Sequence, residues 1–188
     1  PRELYEVNYT AEGAPQLAHE TIALISRKVS IDNSWGLDHG TWSILHVMYP
    51  DKDIPVYQLS IDQTATPLEH FEMGQQIRSL RDQGVLILGS GNVVHNLRAV
   101  SFAEAGGYDW AQKFDGYIQE QVATRQYENV LEYQKQGQSA GLSVPTTDHF
   151  DPLLYILGAS DKEDRLKIFN DSCMAGSLSM TSYLFSKI

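Results

Sequence analysis

The run Gly84-Val85-Leu86-Ile87-Leu88-Gly89 constrains this chain more than any other stretch. Four large apolar residues between glycines read as a strand buried on both faces, the kind found in the middle of a helix-covered sheet. The flanking sequence fits that setting. Pro67 to Gln83 is helical in pattern, with Leu68, Phe71, Ile77 and Leu80 inward. Pro15 opens an earlier helix carrying Leu17, Thr21, Leu24 and Ile25 on one face. Thr41 to Met48 reads as a short helix that Tyr49-Pro50 ends, and Ile54 to Ile61 as a strand. Tyr108 to Arg125 and Glu128 to Gln136 read as helices, and Gly137 to Ser143 as a loop. Asp151 to Leu157 reads as an apolar helix ended by Gly158, and Leu166 to Asn170 and Ser177 to Phe185 as strands. Alternation of this kind predicts an α/β layered domain with a central sheet, whose ligands sit in the loops beyond strand ends.

Composition narrows the partners. The 188 residues are 42% hydrophobic and 20% charged, enough for one sizeable core, so a single domain over 1–188 is expected. Twenty-four acidic against fourteen basic side chains leave a net charge of −10 with no basic cluster, which disfavours nucleic acid and anionic membrane surfaces. One cysteine, Cys173, excludes an intrachain disulfide and a CxxC site, and a reducing, cytoplasmic compartment fits best. No stretch approaches the roughly 18 apolar residues of a membrane span. No secretory leader is read at Pro1, and Pro1-Arg2-Glu3-Leu4-Tyr5 carries no mark of a domain start, so a fragment is expected.

Six histidines are the candidates for chemistry. His19 and His70 fall on polar faces of predicted helices and read as surface residues; His46, on an apolar helix, reads as a packing residue. His95 is different. It ends Gly89-Ser90-Gly91-Asn92-Val93-Val94-His95, a turn of small residues that delivers its side chain into a strand-end crevice. His39 follows Asp38, which either orients the imidazole or caps the next helix. His149 lies in Pro145-Thr146-Thr147-Asp148-His149-Phe150 at a helix start, where Thr147 or Asp148 is the expected cap. No short metal spacing such as HExxH links them, so residue spacing alone reaches only an α/β domain with three candidate histidines.

Motifs in fixed order carry the reading further. Trp35-Gly36-Leu37-Asp38-His39-Gly40-Thr41-Trp42, Gln58-Leu59-Ser60-Ile61-Asp62, Gly89 to Leu97, Asp148-His149-Phe150 and Gly176-Ser177-Leu178-Ser179-Met180 together resemble the DOPA 4,5-dioxygenase-like branch of the class III extradiol ring-cleavage dioxygenases, in the LigB-like superfamily. The resemblance implies a three-layer α/β/α fold around a mixed sheet. It implies one divalent metal, Fe(II) or Zn(II), with a small aromatic diol and O₂ as reactants. By the same resemblance His149 is a metal ligand and His95 the acid/base histidine, able also to ligate in zinc-bound relatives. By the same resemblance His39 with Asp38 lines the substrate pocket, and His39 is also a catalytic residue that hydrogen-bonds to substrate or bound oxygen. Two further histidine motifs of that family, Gly-His-Gly-Ser-Pro-like and Ser-Ala-His-Trp-like, are absent from these residues, so the chain matches the C-terminal part of the catalytic domain.

Two other functions fit the same fold: a non-catalytic binding protein, and a zinc hydrolase that activates water. Metal analysis with oxygen uptake on a catechol separates the three. The oligomeric state and the particular catechol are left open. With only His149 and His95 to offer, the 188-residue chain is expected to be inactive and to lose its metal on desalting; elemental analysis of the desalted chain checks this.

Overall fold

The structure is a computed structural model that describes Arg2 and residues 6–187. The anomalous start Pro1-Arg2-Glu3-Leu4-Tyr5 therefore lies, apart from Arg2, outside the described residues. The chain separates into two compact units, Pro1–Ser60 and Ile61–Ile188.

The first unit holds α1 (Pro15–Leu24) and α2 (His39–Met48). Pro15 starts α1 where its missing N–H costs nothing, and Thr21 is its buried residue, with its hydroxyl 2.7 Å from that of Tyr57. Asp38 caps α2 by accepting the Thr41 N–H at 2.8 Å. The expected strand from Ile54 to Ile61 forms no ladder but a single parallel bridge, Gly13 to Val56, where the Val56 N–H donates to the Glu12 carbonyl.

The second unit begins with α3 (Pro67–Ile77), which a Thr66/Glu69 capping box opens. It tightens into a 3₁₀ segment, Arg78–Gln83. Then come α4 (Asp109–Ala123), α5 (Tyr127–Leu131), a 3₁₀ turn at Tyr133–Gln136, α6 (Gln138–Ser143) and α7 (Asp151–Ala159). Two small antiparallel sheets close the unit. β1 (Arg165–Phe169) pairs with β4 (Ser182–Ser186), and β2 (Cys173–Met174) with β3 (Leu178–Ser179). Val94, Phe114, Ile118, Val122, Val130 and Leu154 form the fully buried centre.

Helices and strands are mixed as the sequence predicts, but the sheet is distributed differently. The Gly84–Gly89 run begins in a turn at Gly84, takes no regular secondary structure and has no ladder partner among the described residues. Leu86 and Leu88 are 53% and 42% exposed while Val85 and Ile87 turn inward, so only one face of the run is covered. The expected strand Ser177–Phe185 breaks into β3 and β4, because buried Asp115 accepts the hydroxyls of Ser179 and Thr181 at 2.5 and 2.7 Å and bends the chain between them. The expected loop at Gly137–Ser143 is α6, whose Ser139, Ala140 and Ser143 are buried and which packs on α4.

Gly158 lies inside α7 and does not terminate it. It is required there for proximity: a Cβ at residue 158 would overlap the Phe71 carbonyl oxygen of α3. The two helices thus meet backbone to backbone along α3's buried face, His70, Met73, Gly74 and Ile77. Leu68 stands off that face at 52% exposure. Gly158→Ala is expected to cost about 1–3 kcal/mol by overpacking this contact, read as a lower urea midpoint at unchanged m-value.

Candidate active site: a stacked histidine pair

The segment after the apolar run is pinned from two sides. The Asn92 N–H donates to the His149 carbonyl at 2.9 Å, and the Asn92 side-chain amide donates to the Ser179 carbonyl at 2.6 Å. The His95 N–H donates to the Ser143 carbonyl at 2.9 Å, and His95 forms an antiparallel bridge with Leu178. Asn96 continues the lacing, with its side-chain amide on the Leu142 carbonyl at 2.7 Å and its own carbonyl accepting the Ser177 hydroxyl at 2.8 Å. Val93 and Val94 between these anchors are buried. Gly91 makes the approach sterically feasible, since a Cβ there would overlap the His149 carbonyl oxygen.

This lacing brings His95 and His149 together. Their rings stack at a centroid distance of 3.5 Å and an interplanar angle of 18°. Both side chains are half-buried. The Asp148 carboxylate stands 3.5 Å from His149 Nε2, and a hydrogen bond from Thr146 holds its carboxyl below the usual carboxylate range. Burial, and then the charge of His149 beside it, lower the His95 pKa from its ordinary value, with Asp148 opposing. His95 is therefore a neutral imidazole at pH 7, able to accept a proton.

The donor chemistry suits a divalent metal in kind and falls short in number. Two neutral imidazoles are good ligands for iron or zinc, yet no group of three His, Cys, Asp or Glu side chains able to hold a metal occurs among the described residues. The pair fits as part of a ligand set and not as the whole of one.

The other candidates are placed as follows. His39 is the exposed first residue of α2, and the Asp38 carboxylate serves as the helix cap, the second of the two roles its sequence position allows. Both belong to the first unit. Neither Asp148 nor Thr147 caps α7 with its side chain; instead the Thr147 carbonyl accepts the N–H groups of Phe150 and Asp151 at 2.8 Å each. His46, expected to pack, is exposed, and His19 is exposed as expected. His70, expected at the surface, is completely buried against Asp151. Its spacing to Gly74 and Ile77, four and seven residues on, is the signal in the sequence, because those three residues share α3's inner face.

Fold and site thus define a mixed α/β chain that presents paired imidazoles from two loops. The family described as the catalytic LigB subunit of aromatic ring-opening dioxygenase matches residues 2–186, and the chain belongs to it. The chain is 41% identical over 191 residues to the 4,5-DOPA dioxygenase extradiol of Escherichia coli K12, covering 97% of this chain and 69% of that protein. It is 34% identical to the protein of the same name from Beta vulgaris, covering 99% and 71%. A crystal structure of an uncharacterized protein from Escherichia coli K12 matches with a TM-score of 0.87 and 41% identity, over 96% of this chain and 76% of that one. The chain is thereby a member of a family of ring-opening oxidoreductases. No helix among the described residues is long and apolar enough to cross a membrane.

The lowered His95 value makes stability depend on pH. The unfolded chain takes up this proton first, at its ordinary pKa of 6.5. Stability is then unaffected well above that pH and declines as pH falls through it towards the folded-state value. The urea midpoint is expected to drop as the pH falls below 6.5, and His95→Phe to flatten that drop.

Proposed function

We propose that the chain is the C-terminal part of the catalytic domain of a metal-dependent extradiol dioxygenase that opens a DOPA-like catechol with O₂. The observation that carries this reading is the stacked pair of His95 and His149 at 3.5 Å, in a chain of the LigB family. Relatives named for 4,5-DOPA extradiol cleavage support a catechol as substrate. The lone, unpaired Cys173 supports a cytoplasmic setting.

His149 is assigned as a ligand of one divalent metal, Fe(II) or Zn(II), with His95 as a second ligand in a zinc-bound form. Such a metal, when bound, would supply the Lewis acidity that makes a catechol hydroxyl easier to deprotonate. The remaining ligands must come from outside the described residues.

The protein's own groups then have distinct tasks. His95, held neutral by burial and by His149, accepts the hydroxyl proton at a ring nitrogen and returns a proton as the ring opens. Its main-chain bond to Ser143 and its stacking on His149 fix where that nitrogen points. Asp148, kept ionised by its Thr146 bond, faces His149 Nε2 and favours the orientation in which that ring is held. His39 and Asp38 are assigned to substrate binding, His39 through its exposed imidazole and Asp38 by setting the start of α2.

The test uses the full-length protein. His95→Ala is expected to keep catechol binding, measured by calorimetry, and to lose oxygen uptake by about a hundredfold or more. Unchanged uptake overturns the assignment. Zinc in the purified protein with no uptake on any catechol would support the hydrolase reading instead, and no metal at all the binding-protein reading.

A further inference from the structure

His70 alone among the six histidines has no exposed surface, and it lies outside the site described above. It projects from α3 to within 3.4 Å of Asp151, His70 Nε2 to Oδ2, with side-chain exposures of 0% and 4%. Its ring also lies 5.2 Å from that of Tyr155, tilted by 47°. Neither ring nitrogen forms a hydrogen bond, and the charged group that the ring faces is the Asp151 carboxylate. A buried carboxylate is costly unless something compensates its charge. Asp151 is the first residue of α7, at the end of the helix that favours negative charge, and the polar edge of His70 stands 3.4 Å from its carboxylate.

Asp151 is also built into the turn that holds His149. Its N–H donates to the Thr147 carbonyl at 2.8 Å, closing a loop around Asp148, His149 and Phe150. Phe150 next to it is buried in the core, and the His149 carbonyl is tied to Asn92. The side chain of Asp151 therefore faces α3 while its main chain closes the His149 turn. A change that leaves its carboxylate buried and uncompensated drives that carboxylate towards water, and the turn must move with it.

We propose that His70 is a positioning residue for His149, acting through Asp151 to hold the His149 ring against His95. The proposal rests on the reading of His149 as a site residue, and it does not depend on turnover. It is tested on chain with isotope-labelled histidine, by the ring resonances of His149 and His95. His70→Phe keeps the volume and removes the polar edge; His70→Gln keeps a polar group near the same place. The expected result is that His70→Phe moves the His149 and His95 resonances, as the stack opens. His19 and His46, both exposed, serve as internal references that stay in place. His70→Gln is expected to restore most of the wild-type spectrum. If His70→Phe does not fold, Asp151→Asn is measured in its place, and the same displacement is expected. A folded variant that loses stability but leaves both resonances unmoved overturns the proposal and makes His70 a core residue only. Oxygen uptake by the unmodified full-length protein is scored separately: absent uptake with displaced resonances removes the dioxygenase reading and leaves the coupling intact.

Discussion

The contact on which the site depends is a steric one, between the backbone of Gly91 and the carbonyl of His149. No side chain fits between them, and the neighbouring Asn92 N–H completes the approach with a 2.9 Å hydrogen bond to the same oxygen. Two loops far apart in sequence are thereby joined at main-chain level. The join sets the course of the next residues. Val93 and Val94 enter the core, His95 reaches the Ser143 carbonyl, and the two imidazoles face one another.

The join is only as exact as the placement of α7, which carries one side of it. That helix is held at both ends. At its N-terminus Asp151 meets buried His70, and along its length Gly158 admits the backbone of α3. At its C-terminus Arg78 and Arg81 donate to the carbonyls of Gly158 and Ala159 at 3.1 and 2.9 Å, satisfying groups that the helix leaves open. Arg81 is itself fixed by nearly buried Asp164, at 2.7 Å. A helix of nine residues gains little stability alone, so these tertiary contacts account for its fixed position.

Much of this is legible in the chain. Apolar spacing locates α1, α2, α3, α4 and α7 closely, because a one-sided helix must repeat its buried positions every three or four residues. The glycines around residue 90 and the order of the histidine motifs point to His95 and His149, which the structure brings into contact. The failures share a cause. A strand's pattern says that a segment suits pairing, but not which partner it has, and Ile54–Ile61 and Gly84–Gly89 have almost no ladder. The break between β3 and β4 requires knowing that a buried carboxylate, Asp115, comes from α4 to take both hydroxyls.

The sequence by itself determined the family, the mixed α/β class, the net charge that disfavours polyanion partners and the identity of the paired histidines. Each of these depends on residue type and order along the chain. Tertiary structure alone decided the stacking of His95 on His149, the lowered His95 pKa, the role of Asp38 as a cap and the burial of His70 against Asp151. These are matters of distance and dielectric between groups remote in sequence, and neither quantity exists until α3, α7 and the residue 89–96 turn have packed.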